Sequence, residues 1–242
     1  MSIDNPTLMA TLDTRNMLEE IDGLPDQLKT AYQLGMEQPL PDWQGIERVV
    51  IAGMGGSAIG GSLAAAFTSS TCRVPVIVHR DYDLPAWAYD PHTLVITVSH
   101  SGNTEETLSS FQAAIKNNCR VVAVTTGGKL ADFAHSLNIP LWRFNHTGQP
   151  RAAVGLSFGF LLALFHRTGL IPSREADINN TVREMKKQQG ELRADVPTVN
   201  NPAKQLAISM QEKWVSVFGA GVMAPVARRW KGQISEVSKA WA

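Results

Sequence analysis

Cysteine is scarce in this chain: of 242 residues only Cys72 and Cys119 carry a thiol. Two cysteines cannot frame a disulfide-stapled fold or close a zinc site alone, so reduced thiols in the cytoplasm are expected. Charge of one sign is also missing. Lys plus Arg and Asp plus Glu balance at 22 each, which argues against a protein built on non-specific contact with nucleic-acid phosphates. Long hydrophobic runs are absent too. The most apolar stretch, Val154–Phe165, spans about 12 residues and is too short to cross a bilayer. The opening MSIDNPTLMATLDT lacks a basic stretch followed by an apolar run, so no secretory signal is expected there. The six histidines (79, 92, 100, 135, 146 and 166) show no HxH or HExxH spacing, and no metal is expected. Gly and Pro, 19 and 13 residues, exclude collagen-like and low-complexity chains.

What is present is a core-forming 44% of apolar residues, arranged as alternating elements. Leu12, Met17, Ile21, Leu24 and Leu28 recur at near-helical spacing, predicting a helix over 12–35 that Pro25 breaks into two pieces. Strands are predicted at Arg48–Ala52, Val74–Val78, Thr93–Val98, Val121–Thr125 and Ile139–Trp142. Pro75 puts the second at an edge or a strand start. Helices are predicted near 57–68, 104–117, 129–137, 152–168 and 174–194. Strands that alternate with helices and lack polar alternation indicate an α/β fold with a five-stranded parallel sheet covered on both faces. Residues 1–45 read as a helical segment, 46–172 as the α/β domain, and 173–203 as a connecting helix and linker.

Residues 204–242 read as the start of a second copy. VVIAGMGGSAIGG begins at Val49 and VSVFGAGVMAPVA at Val215, so Gly53 and Gly55 align with Gly219 and Gly221. Both segments read as strand, glycine turn, helix. A full second copy would extend past Ala242, and an incomplete second domain is expected.

Ser99-His-Ser101-Gly102-Asn103-Thr104 closes a strand and opens a helix, the edge of a parallel sheet where ligands bind. A helix start offers free N–H groups and a positive dipole end. One hydroxyl would cap the helix. Four, counting Thr107, supply the converging neutral donors that a phosphate needs. Gly53-Met-Gly55-Gly56-Ser57-Ala58 fits the GxGxx(G/A) dinucleotide pattern, but no acidic residue follows about 20 positions on. A turn that shapes a pocket wall, with Ser57 pointing in, reads equally well. Arg151, in Gly-Gln-Pro-Arg before a helix, suits an oxyanion or an ordinary surface position. Ala227–Glu236 reads as a charged helix face.

Taken together, VVIAGMGGSAIGG with VSHSGNTEETL resembles the sugar isomerase (SIS) domain family. GQPRAAVG and APVARRWKGQISE narrow the resemblance to its bifunctional phosphoglucose/phosphomannose isomerase branch. The resemblance implies tandem flavodoxin-like SIS domains in αβα layers, here one domain and the start of a second, and a homodimer. It implies reversible interconversion of glucose 6-phosphate or mannose 6-phosphate with fructose 6-phosphate through a cis-enediol, with no cofactor. Ser99, Ser101 and Thr104 match the phosphate loop, and Gly55, Gly56 and Ser57 the turn lining the sugar. Arg151 matches the arginine near C1 and C2, and Glu236 the glutamate base. His100 stands at a variable position and receives no role. The family's ring-opening histidine, donated by the partner subunit, and an assisting lysine fall beyond residue 242. The alternative function is a non-catalytic SIS module that binds sugar phosphates, with a Rossmann oxidoreductase a distant third.

Overall fold

The computed structural model describes residues 3–242; Met1 and Ser2, the first two positions of the expected N-terminal segment, lie outside the described residues. A first helix, α1 (Pro6–Leu12), precedes the two pieces expected over 12–35, which form as α2 (Met17–Asp22) and α3 (Leu24–Glu37). Asn5 caps α1, its side-chain oxygen accepting from the Thr7 and Leu8 amides at 3.0 and 3.2 Å. The break expected at Pro25 falls at Gly23 instead. Pro25 sits in the first turn of α3, where its missing N–H leaves no helical bond unmade.

Five strands follow, with helices between them: β1 (Arg48–Ala52), α4 (Gly55–Thr68), β2 (Val76–His79), β3 (Thr93–Ser99), α5 (Glu105–Lys116), β4 (Arg120–Thr125), α6 (Gly128–Ser136) and β5 (Leu141–Arg143). A single 3₁₀ turn, Pro150–Ala152, leads into α7 (Val154–Arg167). The strands form one parallel sheet in the order β2-β1-β3-β4-β5. Pro75 thus precedes an edge strand, and its carbonyl accepts from Val49 at 2.9 Å. From β1 the chain passes to β2 on one side and then to β3 on the other. The strand order therefore reverses between β1 and β3, opening a crevice at their carboxyl ends.

Alternation within each strand assigns the two faces. Val49, Ile51, Leu94, Ile96, Val122 and Val124 pack under α3, α4 and α7. Val50, Val95, Val121 and Ala123 pack under α5 and α6. The result is the expected αβα layering. Helices α3 and α7 approach closely because small residues face each other. A Cβ on Gly159 would lie 2.8 Å from both the Ala31 Cβ and the Leu28 carbonyl oxygen. Among the described residues, no helix is long and apolar enough to cross a membrane.

Beyond the sheet lie α8 (Glu175–Leu192), α9 (Pro202–Ser209) and α10 (Ala224–Val237), the last packed against α4. The strand expected at Val215–Phe218 does not form. A strand is held by its ladder, and these residues pair with no neighbour, so Trp214 and Phe218 are each 91% exposed. The glycine turn after it keeps the conformation of its counterpart. Gly55 and Gly221 have φ of +50° and +55°, and each opens a helical turn.

Candidate active site

The crevice is walled first by the loop from β3 to α5. Ser99 is buried at the strand end; its Oγ accepts from the Gly102 amide at 3.0 Å and lies 2.9 Å from Thr104 Oγ1. One hydroxyl of that pair donates to the other, which leaves the second hydroxyl hydrogen free for a ligand. Ser101 is exposed, its Oγ accepting from the Asn103 amide at 3.2 Å. Thr104 occupies the N-cap position of α5 but makes no capping bond, so its hydroxyl serves the loop rather than the helix. Thr107, one turn on, is buried with its Oγ1 lacking a partner among the described residues. Gly102 has φ +69°, and a side chain there would run into the Gly127 carbonyl. The first turn of α6 buttresses the loop further, through Leu130 N–H to Gly102 O at 2.9 Å and Lys129 N–H to Asn103 Oδ1 at 3.1 Å.

The second wall is the turn from β1 to α4. A Cβ on Gly53 would lie 2.7 Å from the Val98 carbonyl oxygen, so glycine lets this turn sit directly against the end of β3. A Cβ on Gly56 would lie 2.7 Å from the Pro150 carbonyl oxygen and 3.5 Å from Arg151 Cα. Gly56 therefore brings the 3₁₀ turn bearing Arg151 against the start of α4. Ser57 follows, half-buried.

The third wall joins distant segments. Arg151 Nε lies 3.1 Å from Glu236 Oε2, and its Nη1 donates to the Glu236 carbonyl at 3.1 Å. Arg229 Nη1 donates to the Arg151 carbonyl at 3.1 Å. Burial pulls the Arg229 pKa below its ordinary value, and Glu236 opposes that shift. The side chains of Arg151 and Glu236 are 32% and 52% exposed, so this pair contributes little to stability but stands open to a ligand. The sequence-predicted residues thus form two groups: the loop of Ser99, Ser101 and Thr104, and the cluster of Gly56, Arg151 and Glu236 on α4, the 3₁₀ turn and α10. Gly53 against Val98 joins them.

Residue reading missed one group beside this site. His100 Nε2 lies 2.8 Å from His146 Nδ1, and His146 Nε2 lies 2.8 Å from Glu20 Oε2. Burial, then His146, lowers the His100 pKa, with Glu20 opposing. No spacing in the sequence links positions 20, 100 and 146. Among the described residues no three His, Cys, Asp or Glu side chains converge as a metal site.

Comparison with known proteins bears on what such an edge does. Residues 199–242 match the family model described as the bacterial phospho-glucose isomerase C-terminal SIS domain. Over 225 residues the chain is 43% identical to the bifunctional phosphoglucose/phosphomannose isomerase of Caldicellulosiruptor bescii, covering 92% of this chain and 66% of that one. It is 31% identical over 192 residues to the protein of the same name from Aquifex aeolicus, covering 79% and 56%. The chain thus spans between about half and two thirds of the length of these curated relatives. In fold it matches the C-terminal domain of glucosamine-fructose-6-phosphate aminotransferase from Francisella tularensis, with a TM-score of 0.64 at 18% identity over 93% of this chain and 68% of that one. Sheet order, the two motif turns and these relatives agree: the chain belongs to the SIS domain family, in its bifunctional phosphoglucose/phosphomannose isomerase branch.

Proposed function

We propose that this chain carries the proton-transfer site of an aldose–ketose isomerase that interconverts glucose 6-phosphate or mannose 6-phosphate with fructose 6-phosphate. The observation that supports it most is the Arg151–Glu236 pair, a carboxylate and a fixed positive charge from segments 85 residues apart, set beside the β1 turn. In this reading Ser99, Ser101 and Thr104 hold the phosphate with the start of α5, and Gly55, Gly56 and Ser57 line the sugar. The substrate's C1 and C2 displace Glu236 from Arg151. Glu236 takes the C2 proton of the open-chain aldose and returns it to C1, while the O2 hydroxyl proton passes to O1. The Arg151 guanidinium stabilises the oxyanion of the enediolate between these steps. Residues 204–242 are the start of a second SIS unit, which contributes the base on α10. A cytoplasmic homodimer belongs to the same reading.

The test is exchange of the C2 proton of glucose 6-phosphate in deuterated water, with calorimetric binding alongside. Wild type is expected to incorporate label. Glu236→Gln keeps the shape of the side chain but cannot accept the proton, and exchange should fall on the order of 100-fold or more with affinity nearly unchanged. Undiminished exchange in the variant would place the base elsewhere. Binding without exchange in wild type would favour the non-catalytic module.

A further inference from the structure

The segment that delivers Arg151 has little backbone holding it. β5 ends at Arg143, and the Phe144 amide makes the last ladder-side contact, to Thr125 O at 3.3 Å. Among the described residues, residues 145–148 make no backbone–backbone hydrogen bond; the next is Ala152 N–H to Gln149 O at 2.8 Å. What pins this stretch is His146. On one side its Nε2 meets Glu20 of α2 at 2.8 Å, and on the other its Nδ1 meets His100 at 2.8 Å. His100 stands between Ser99 and Ser101. The His146 and Glu20 side chains are 10% and 19% exposed. Gly148 completes the fit, because a side chain there would collide with the Glu20 carboxylate.

We propose that Glu20, His146 and His100 form a hydrogen-bonded relay that holds the Arg151-bearing loop in register with the phosphate loop, and that they are positioning residues for the isomerisation. The inference rests on the functional reading above only for its catalytic consequence; the relay itself is a matter of geometry. The tautomers follow from the partners. A carboxylate only accepts, so His146 Nε2 carries the hydrogen and Nδ1 is left with its lone pair. His100 Nε2–H then donates to His146 Nδ1. His100 Nδ1 has no hydrogen-bond partner among the described residues and can take up one proton with both bonds kept. A second proton, on His146 Nδ1, sets two N–H groups face to face and breaks the link. The ionisable groups facing His100 are His146 and Glu20, and Phe144 packs edge-on to its ring. Burial, then His146, disfavours proton uptake by His100, which favours the neutral, closed arrangement of the three side chains.

The experiment compares wild type with His146→Ala and Glu20→Ala by amide hydrogen exchange at Phe144, Ala152 and Ala153, the hydrogen-bonded amides that flank the segment, and by steady-state kinetics. At about pH 7.5 both variants are expected to exchange these amides at least ten-fold faster than wild type, after correction for intrinsic rates. kcat is expected to fall on the order of 10- to 100-fold, with KM changing less than about three-fold, because Arg151 acts on the enediolate rather than on the phosphate. Glu20→Gln keeps an acceptor oxygen for His146 Nε2–H and should restore most of the lost kcat relative to Glu20→Ala. A merely structural role would lower stability without the split between kcat and KM. No rescue by Glu20→Gln, or unchanged exchange in either variant, overturns the proposal. If wild type does not isomerise sugar phosphates, the functional reading fails and the exchange arm alone decides the relay. Glu20→Ala keeps the test open should His146→Ala not fold, because Glu20 lies on the short helix α2 outside the sheet and its side chain is 19% exposed.

Discussion

Gly56→Ala separates the placement of Arg151 from the stability of the fold. Gly56 lies in the first turn of α4 with φ outside the left-handed region, so alanine meets no backbone strain there. Helix propensity even favours the change by roughly 0.5–1 kcal/mol. The obstacle is the new Cβ, 2.7 Å from the Pro150 carbonyl oxygen and 3.3 Å from its carbon. An ordinary carbon–oxygen contact is about 3.3 Å or longer, so one side must give by roughly 0.6 Å. Neither contacting atom belongs to a flexible side chain. The start of α4 is held by the sheet beneath it, whereas the 3₁₀ turn follows a loop with few backbone bonds, so the turn moves and Arg151 moves with it. Overpacking of this kind costs about 1–3 kcal/mol, and the propensity gain offsets part of that, leaving a small net loss in stability. If a displacement of about 1 Å costs on the order of 100-fold in rate, about 0.6 Å costs on the order of 10-fold. That loss should fall on kcat, with KM little changed. A coupled isomerase assay with thermal denaturation reads both quantities. Gly190→Ala is the control: it lies in α8 with open space around its Cβ and should leave turnover unchanged. A folded Gly56→Ala protein with wild-type kcat would show that Arg151 is not held by this contact, or that its position does not matter to the reaction.

Ser101→Ala combined with Thr104→Ala should weaken fructose 6-phosphate binding, by about 1.5–3 kcal/mol for each hydroxyl lost from a charged ligand, and toward the lower end for exposed Ser101; equal calorimetric affinities would refute the loop assignment. Asp4 accepts from Lys204 Nζ at 2.8 Å and from the Thr198 amide at 3.0 Å, bonds that hold its carboxyl down at about 2, with Lys204 the largest cause. Because the folded pKa is depressed, the tie between the N-terminus and the 198–204 segment is fully present above about pH 4 and is lost as the pH falls through about 2. Protection of the Thr198 amide should follow that course and should lose it in Asp4→Asn; pH-independent protection in wild type would contradict the assignment.

The parts that read directly from the chain were those whose cause is local. Val49, Val50 and Ile51 face opposite sides of the sheet and all are buried, so the run lacks polar alternation and announces a covered strand. Pro75 announces an edge because it cannot donate to a ladder. The hydroxyl loop and the glycine turn are likewise short motifs whose chemistry sits within a few residues. Val215–Phe218 shows the limit of that reasoning. It matches β1 in pattern, and its glycine turn adopts the same backbone, yet no strand forms because strand formation depends on a neighbour that local pattern does not supply.

The site divides along the same line. Arg151 and Glu236 are brought together by α10 lying on α4, a packing relation that residue reading alone does not supply; read singly they suit a surface arginine and a charged helix face, and family resemblance singled them out. Glu20, His146 and His100 had no such guide. Their positions in the chain run 20, 100, 146, and no spacing or motif links them; His100, at a variable position, receives no role. What makes them meet is the gap in backbone bonding at 145–148. Where a ladder or a helix holds the chain, side chains are free to vary and the local pattern tells the structure. Where the backbone holds nothing, side-chain bonds must fix the conformation, and those bonds reach across the fold to whichever element passes nearby. The segment least legible in sequence is therefore the one whose geometry depends most on individual side chains, and here it delivers Arg151.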